Sequence, residues 1–141
     1  MFFCDIITIK GNSNKNQKTN QMMFNKLKRV LLESGYRVIL TSNVSKSPKK
    51  GFARGIKGYI VPDDLTIYIN KNIGVNDRVI TLVHELLHEI YPAWTEGKVN
   101  QTSKRIFQKL TVPQLGFLQF FIMAPTEIRA MLKSNNLSSA C

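Results

Sequence analysis

Residues 81–92 read TLVHELLHEIYP, and this run contains both histidines of the chain, His84 and His88. Residues four positions apart lie on one face of an α-helix, one turn from each other. Two imidazoles in this arrangement can reach one zinc ion at about 2.0–2.1 Å each. Glu85 follows the first histidine directly, so its carboxylate can reach a water molecule that the ion acidifies. The segment therefore predicts a metal-dependent hydrolytic site with Glu85 as the general base.

The residues around the two histidines favour a helix buried through the middle of a domain. Apolar side chains occupy more than one side of the predicted helix, as such a position requires. They are Val79, Ile80, Leu82, Val83, Leu86, Leu87 and Ile90. Asn76 or Asp77 can cap the start of the helix, and Pro92 ends it. The alternative interpretation is an amphipathic helix with two partly buried histidines and no metal.

Length and composition indicate one globular domain. The chain has 141 residues, of which 43% are hydrophobic, enough for a core of its own. We divide the predicted domain into a sheet with a backing helix (1–75), an active-site helix (76–92) and a C-terminal helical part (93–141). No signal peptide or membrane-spanning segment is recognised. The two cysteines, Cys4 and Cys141, suit a reducing compartment, so we expect a cytoplasmic protein without a membrane partner.

The chain is strongly basic, with a net charge of +11. Basic residues concentrate in 10–18 and in a second segment, residues 46–57, which we call the basic loop. One interpretation is that both are solvated loops. The other is nonspecific contact between the basic loop and nucleic acid. Only Phe52 and Tyr59 offer aromatic rings near this loop, so recognition of a base sequence is not expected.

Hydrophobic periodicity places strands before the histidine helix and further helices after it. Strands are predicted at 4–10, 36–41, 59–61 and 65–70, with a polar loop at 11–19 and a helix at 20–34. The strands 59–61 and 65–70 flank a turn and form a hairpin or a bent pair. Later helices are predicted from 95, over 113–123 and over 125–133. This order predicts an α+β fold: a small twisted mixed β-sheet, a backing helix, an active-site helix beneath the sheet, and C-terminal helices.

A catalytic zinc ion needs three protein ligands and one open position. Because the chain has no third histidine, the third ligand must be a carboxylate or something weaker. The candidates are Glu96, which opens a helix after the turn that follows Pro92, and Glu127. Asp63 and Asp64 are weaker candidates. Each glutamate is equally interpretable as an acidic residue in the first turn of a helix, where it interacts favourably with the helix dipole.

The run at residues 84–99, HELLHEIYPAWTEGKV, resembles small metallopeptidases encoded by phages and prophages. Their pattern is HExxH, an aromatic residue with proline, an apolar residue, a capping residue, glutamate, and valine three positions later. Gly97 departs from this pattern, because the family often has a second acidic residue there. The plan is also similar to minimal gluzincins, compact zincins whose third ligand is a glutamate. The resemblance implies a zinc metallopeptidase with one catalytic Zn²⁺ held by His84, His88 and Glu96, located in a virion or host cytoplasm if phage-encoded.

The predicted layout also looks like the upper subdomain of the zincins. In that resemblance the last strand before the active-site helix, here 65–70, is an edge strand that pairs with an extended protein or peptide substrate. Tyr59, Tyr68 and Tyr91 are candidates for stabilising an oxyanion. The alternative function is a non-catalytic, basic, metal-stabilised protein associated with nucleic acid or a virion.

Overall fold

The structure is a computed structural model and describes residues 13–42 and 56–137. Its elements in chain order are α1 (Ser13–Glu33), β1 (Arg37–Thr41), β2 (Gly58–Val61), a 3₁₀ turn (Pro62–Asp64), β3 (Thr66–Asn70), α2 (Val75–Ile90), α3 (Glu96–Lys109), α4 (Val112–Ile122) and α5 (Pro125–Leu137). The predicted α+β class is confirmed. The strand predicted at 4–10 and all but the end of the basic loop lie outside the described residues.

The three strands form one mixed sheet in the order β1-β3-β2. β1 pairs with β3 in parallel, and β2 pairs with β3 in an antiparallel hairpin, which is one of the two arrangements predicted from the turn residues. The prediction that the strand at 65–70 is an edge strand is wrong, since β3 has a partner on each side. The central place of β3 in the sheet follows from its pairing with β1. Because β1 is remote in sequence, no local sequence pattern predicts this pairing.

The first helix begins earlier than its hydrophobic pattern suggests. α1 starts at Ser13, so the loop predicted at 11–19 is wrong over most of its length. The residues at 15–19 are exposed and therefore carry no apolar periodicity. Their helix is supported by good helix formers such as lysine and glutamine, and the Thr19 hydroxyl donates to the Lys15 carbonyl oxygen at 2.9 Å.

α2 is the central helix of the fold. It packs against β2, β3, α1, α3 and α4, and five of its apolar side chains are fully buried: Val79, Leu82, Val83, Leu86 and Leu87. Each burial of this kind contributes about 1.5–3 kcal/mol. Gly74 occupies the cap position, so Asn76 and Asp77, which were predicted as caps, lie inside the first turn. The core therefore holds this helix firmly in place beneath the sheet.

The helices after α2 have well-defined starts. The Thr95 hydroxyl accepts from the Lys98 backbone N–H at 3.2 Å and caps α3, which packs on α2. Thr111 and Gln114 form a reciprocal capping box at the start of α4, which packs on α2 and β1. Within the described residues, none of the helices combines the length and the hydrophobicity that crossing a membrane requires.

Candidate metal centre

The two histidines of α2 point their rings to the same place. His84 Nε2 and His88 Nε2 are 3.0 Å apart, and the ring centroids are separated by 4.7 Å. Their neighbours Val83 and Leu87 are fully buried in the core, so the helix turns its histidine face toward the outside of the core. The His84 side chain is only 14% exposed, which places it at the floor of an opening and not on an open surface.

Glu96 closes this group from the start of α3. Its Oε1 lies 2.8 Å from His84 Nε2, and its Oε2 lies 2.9 Å from His88 Nε2. One carboxylate oxygen therefore faces each imidazole. Glu96 reaches the histidines because α2 ends at Ile90 and a short turn leads to the Thr95 cap of α3, which packs against α2. The three residues that the sequence proposes as ligands thus come together.

The donor geometry fits a zinc ion. Ligand atoms at about 2.0–2.1 Å from a tetrahedral zinc are separated from each other by about 3.3 Å. The separations in this group, 2.8–3.0 Å, are a few tenths of an ångström shorter. The Glu96 side chain is 64% exposed and can move outward to make up the difference. Two imidazole nitrogens and one carboxylate oxygen are a donor set that catalytic zinc sites use.

The environment of His84 favours the neutral ring. Burial lowers its pKa from the usual value, and the facing Glu96 carboxylate opposes that effect in part. A neutral imidazole keeps a lone pair on one of its two ring nitrogens, and the neutral ring is the form that binds metal ions. The centre is thus prepared to accept a cation without first losing a proton from this ring.

Glu85 lies beside the donor group and is not one of its members. Its side chain is buried, with 7% of the residue exposed, and it lines the same cleft as the histidines. Burial, with a smaller contribution from the Glu96 charge, raises the pKa of Glu85 to about 7. A carboxyl group with a pKa near neutrality both accepts and returns a proton at physiological pH.

A residue that the sequence interpretation missed supports His84. The Asn100 side chain lies close to the His84 ring and slightly raises the pKa of that ring against the effect of burial. Such partners orient metal-binding imidazoles and fix which ring nitrogen carries the proton. Asn100 lies four residues after Glu96, one turn along α3, so the helical spacing would have identified it once Glu96 had been placed.

The other carboxylates proposed as third ligands lie apart from this group. Glu127 Oε1 accepts from Arg78 Nη1 at 2.8 Å and from the Ala124 backbone N–H at 2.9 Å, at the start of α5. Asp63 and Asp64 are exposed residues of the 3₁₀ turn. Among the described residues, the group of His, Cys, Asp and Glu donors close enough to share a metal consists of the two histidines and Glu96.

The turn between α2 and α3 is held by an aromatic stack. The rings of Tyr91 and Trp94 are parallel within 4°, with centroids 4.0 Å apart. Lys26 of α1 donates to the Tyr91 hydroxyl at 2.8 Å, and Lys98 Nζ lies 4.3 Å from the centre of the Trp94 ring. Tyr91 is therefore engaged in the turn that carries Glu96 and does not line the cleft.

A cleft of about 580 Å³ opens above the donor group. Its walls are residues 56–60 on the strand side, Ile80 and Thr81 with the histidine segment on α2, and Glu96, Asn100, Ser103 and Lys104 on α3. Of the three tyrosines proposed to stabilise an oxyanion, Tyr59 lines this cleft, whereas Tyr68 and Tyr91 do not. The cleft is large enough for several residues of an extended chain.

Among the described residues, β2 and not β3 borders the cleft with an unpaired edge. The Asn70 N–H donates to the Lys57 carbonyl at 2.8 Å, so alternate residues from Lys57 onward turn their backbone groups toward β3. The backbone N–H and C=O groups of Gly58 and Ile60 consequently point away from β3. Within residues 13–42 and 56–137, no strand pairs with that side of β2.

Gly58 lets β2 approach the histidine helix closely. A Cβ atom at this position would lie 2.6 Å from Thr81 Cγ2 and 2.7 Å from the Tyr68 carbonyl oxygen. Thr81 is three residues before His84 on α2. The missing side chain therefore sets how near the strand edge lies to the donor group.

Comparison of this chain with protein-family models, curated proteins and solved structures gives no match.

Proposed function

We propose that this protein is a zinc-dependent metallopeptidase whose centre consists of His84, His88 and Glu96. The observation that carries the proposal is the convergence of two imidazole nitrogens and a carboxylate within 3.0 Å of one another, beside a buried glutamate and below a cleft. A bound zinc ion would supply a Lewis acid that polarises a carbonyl oxygen and acidifies water. The low cysteine content favours a cytoplasmic location for this activity.

Glu85 is the general base in this proposal. Its carboxylate takes a proton from the attacking water, and the protonated group later gives that proton to the leaving amine. The raised pKa of Glu85, about 7, supports both transfers near neutral pH. Burial also keeps bulk water from competing for the same carboxylate.

The remaining parts of the cleft hold the centre and the substrate. Asn100 lies beside the His84 ring and would orient it, and the edge of β2 that no described strand covers would offer the backbone groups of Gly58 and Ile60 to an extended peptide. This role belongs to β2 because β3, to which the resemblance assigned it, is paired on both sides. The proposed substrate is therefore a protein or peptide segment in an extended conformation.

Two variants test the proposal together. Glu85→Gln should retain zinc and lose at least about 10²-fold in the rate of peptide hydrolysis, because the amide cannot accept the proton. His84→Ala should lose both zinc and hydrolysis, since one of three ligands is gone. Zinc content is measured by atomic spectroscopy and hydrolysis with a pool of unstructured proteins. Undiminished turnover in Glu85→Gln would refute the role of the carboxylate. Salt-sensitive retention on DNA, without cleavage of any protein by the zinc-loaded wild type, would favour the non-catalytic alternative.

A further inference from the structure

The cleft carries two positively charged side chains that the candidate metal centre does not use. Lys57 lies next to β2, and Lys104 lies on α3, on the opposite wall. The acidic side chains that line the same cleft are Glu85 and Glu96, and both belong to the proposed catalytic centre. Among the described residues that line the cleft outside that centre, the charged side chains are therefore the two lysines.

Lys104 has more of its charge available than Lys57. Lys57 Nζ lies 3.6 Å from Asp77 Oδ1, in an ion pair whose two side chains are about half exposed. Among the described residues, Lys104 is in no salt bridge, and its residue is exposed. An exposed lysine with no carboxylate beside it attracts an anionic group brought to it by a ligand.

The spacing between Glu96 and Lys104 on α3 indicates which residue of a bound substrate would lie near Lys104. Lys104 follows Glu96 by eight residues on one continuous helix, which corresponds to about 12 Å along the helix axis. An extended peptide advances about 3.3 Å per residue. A peptide that ran parallel to α3, with its reacting carbonyl at the centre, would thus bring its third or fourth residue from that bond to Lys104.

The rest of the cleft suits a peptide better than a nucleic acid. The edge of β2 that no described strand covers presents backbone donors and acceptors, and Ile56, Ile60 and Ile80 give the walls an apolar part. An extended peptide satisfies both features, with its own backbone groups and alternating side chains. A nucleic acid strand gains most of its affinity from rows of phosphate contacts, for which two lysines on opposite walls provide little.

We propose that the cleft selects peptide segments with an aspartate or glutamate three or four residues from the bond to be cleaved, and that Lys104 is the specificity-determining residue. This inference rests on the proposed function, because it takes the metal centre as the place of cleavage.

The test measures peptide binding to the zinc-saturated Glu85→Gln chain, so that it does not depend on turnover. Fluorescein-labelled ten-residue peptides are compared in pairs that differ in aspartate or asparagine at the third and fourth positions from the centre. Fluorescence anisotropy at low ionic strength should show the acidic peptides binding about two- to fivefold more tightly, as expected for an exposed charge pair. The preference should shrink as salt is added.

Variants on α3 identify the lysine responsible. Lys104→Glu, added to Glu85→Gln, should reverse the preference, and Lys104→Arg should keep it. Lys109→Glu is the matched control, because it makes the same charge change on the same helix at a residue that does not line the cleft. It should leave the preference for acidic peptides in place. Equal binding of acidic and neutral peptides, or equal effects of the two glutamate variants, would overturn the inference.

Two further outcomes separate the inference from the proposed function. Cleavage of neutral and acidic peptides at equal rates by the wild type would overturn the specificity and leave the peptidase standing. Acid-selective binding that depends on Lys104, without cleavage by the wild type, would support the specificity and overturn the peptidase. If a twenty-nucleotide oligothymidylate bound more tightly than every peptide and lost affinity in Lys104→Glu, the cleft would be a nucleic-acid site and the inference would be wrong.

Discussion

Two carboxylates of the cleft, Glu85 and Glu96, sit close together in different surroundings. Glu85 is buried in the wall of α2, whereas the Glu96 side chain is 64% exposed at the start of α3. Burial favours the neutral form of the first, and two imidazoles face the oxygens of the second. The environment therefore suits Glu85 to proton transfer and Glu96 to holding a cation.

Asn100 should contribute to metal affinity without contributing to the fold. We expect Asn100→Ala to weaken zinc binding about 10- to 100-fold, the usual effect of removing the partner of a metal-binding histidine. The free energy of unfolding of the metal-free chain should stay nearly constant, because the residue is exposed. Competition with a chromophoric chelator measures the affinity, and Gln101→Ala, an exposed neighbour on α3, is the control. An unchanged zinc affinity would show that Asn100 does not support the site.

Glu127 lies in a hydrogen-bonded ion pair apart from the candidate metal centre. Its carboxylate pairs with Arg78, whose side chain is only 8% exposed. The Arg78 guanidinium also donates to the carbonyl oxygens of Lys71, Ile73 and Ile122. The hydrogen bond from Arg78, aided by the one from the Ala124 N–H, holds the pKa of Glu127 below its usual value. This network joins the start of α5 to α2.

The lowered pKa of Glu127 predicts how its contribution varies with pH. A carboxylate of this kind stabilises the fold above its unfolded pKa, about 4.3, and loses that contribution as the pH falls through the lower folded value. Glu127→Gln should therefore reduce the free energy of unfolding by about 1–3 kcal/mol at pH 7 and approach the wild type in acid. Urea denaturation at pH 7, 5 and 3 measures the difference.

Glu33→Gln is the matched control for this experiment. Glu33 pairs with Arg29 at 3.9 Å, and both side chains are largely exposed, so its loss should change stability by less than about 0.5 kcal/mol. A gap between Glu127→Gln and the wild type that does not vary with pH would contradict the assigned role of the ionised carboxylate.

Among the elements, the position of β2 above α2 governs access to the centre. The backbone of β2 approaches Thr81 more closely than any residue with a Cβ atom would allow. We expect Gly58→Ala to push the strand away, at a cost of about 1–3 kcal/mol in stability, and to lower kcat/KM for peptides while zinc content stays the same. Calorimetry, zinc analysis and peptide hydrolysis report the three quantities.

A second substitution and a control test whether contact with Thr81 causes the effect of Gly58→Ala. Thr81→Ser removes the Cγ2 atom nearest to the added methyl group and should restore part of the loss in Gly58→Ala. Gly116→Ala on α4, where an added Cβ meets nothing within 4 Å, should be neutral or slightly stabilising. If both glycine variants behaved alike, close contact between β2 and α2 would not be the reason.

The candidate centre also joins two elements of the whole fold, since its donors come from α2 and α3. A ligand that binds the folded chain alone stabilises it by about 2.7 kcal/mol at a concentration of 100 Kd. For a chain of this size, that corresponds to a rise of about 5–10 °C in Tm. We expect zinc to produce such a rise, a chelator to reverse it, and His84→Ala to abolish it. Thermal unfolding followed by circular dichroism measures the shift, and an unchanged Tm in saturating zinc would contradict a metal centre between the helices.

Features that depend on neighbours in sequence could be predicted from the chain alone. The four-residue spacing of His84 and His88 brings their rings together in any helix, and the apolar residues around them predict the burial of α2. The hairpin of β2 and β3 follows from the turn residues between them. Even here the boundary of α1 was missed, because its exposed first turns need no apolar side chains.

Contacts between distant segments had to be seen in the folded chain. Glu96 and Glu127 both open a helix, so their local patterns are alike. Arg78, which is distant in sequence, pairs with Glu127. The turn at Tyr91 and Trp94 brings Glu96 to the histidines. The strand beside the cleft was likewise decided by the parallel pairing of β1 with β3. Short-range periodicity specifies helices and hairpins, but the order of strands and the partner of a charge depend on which remote segments meet when the core forms.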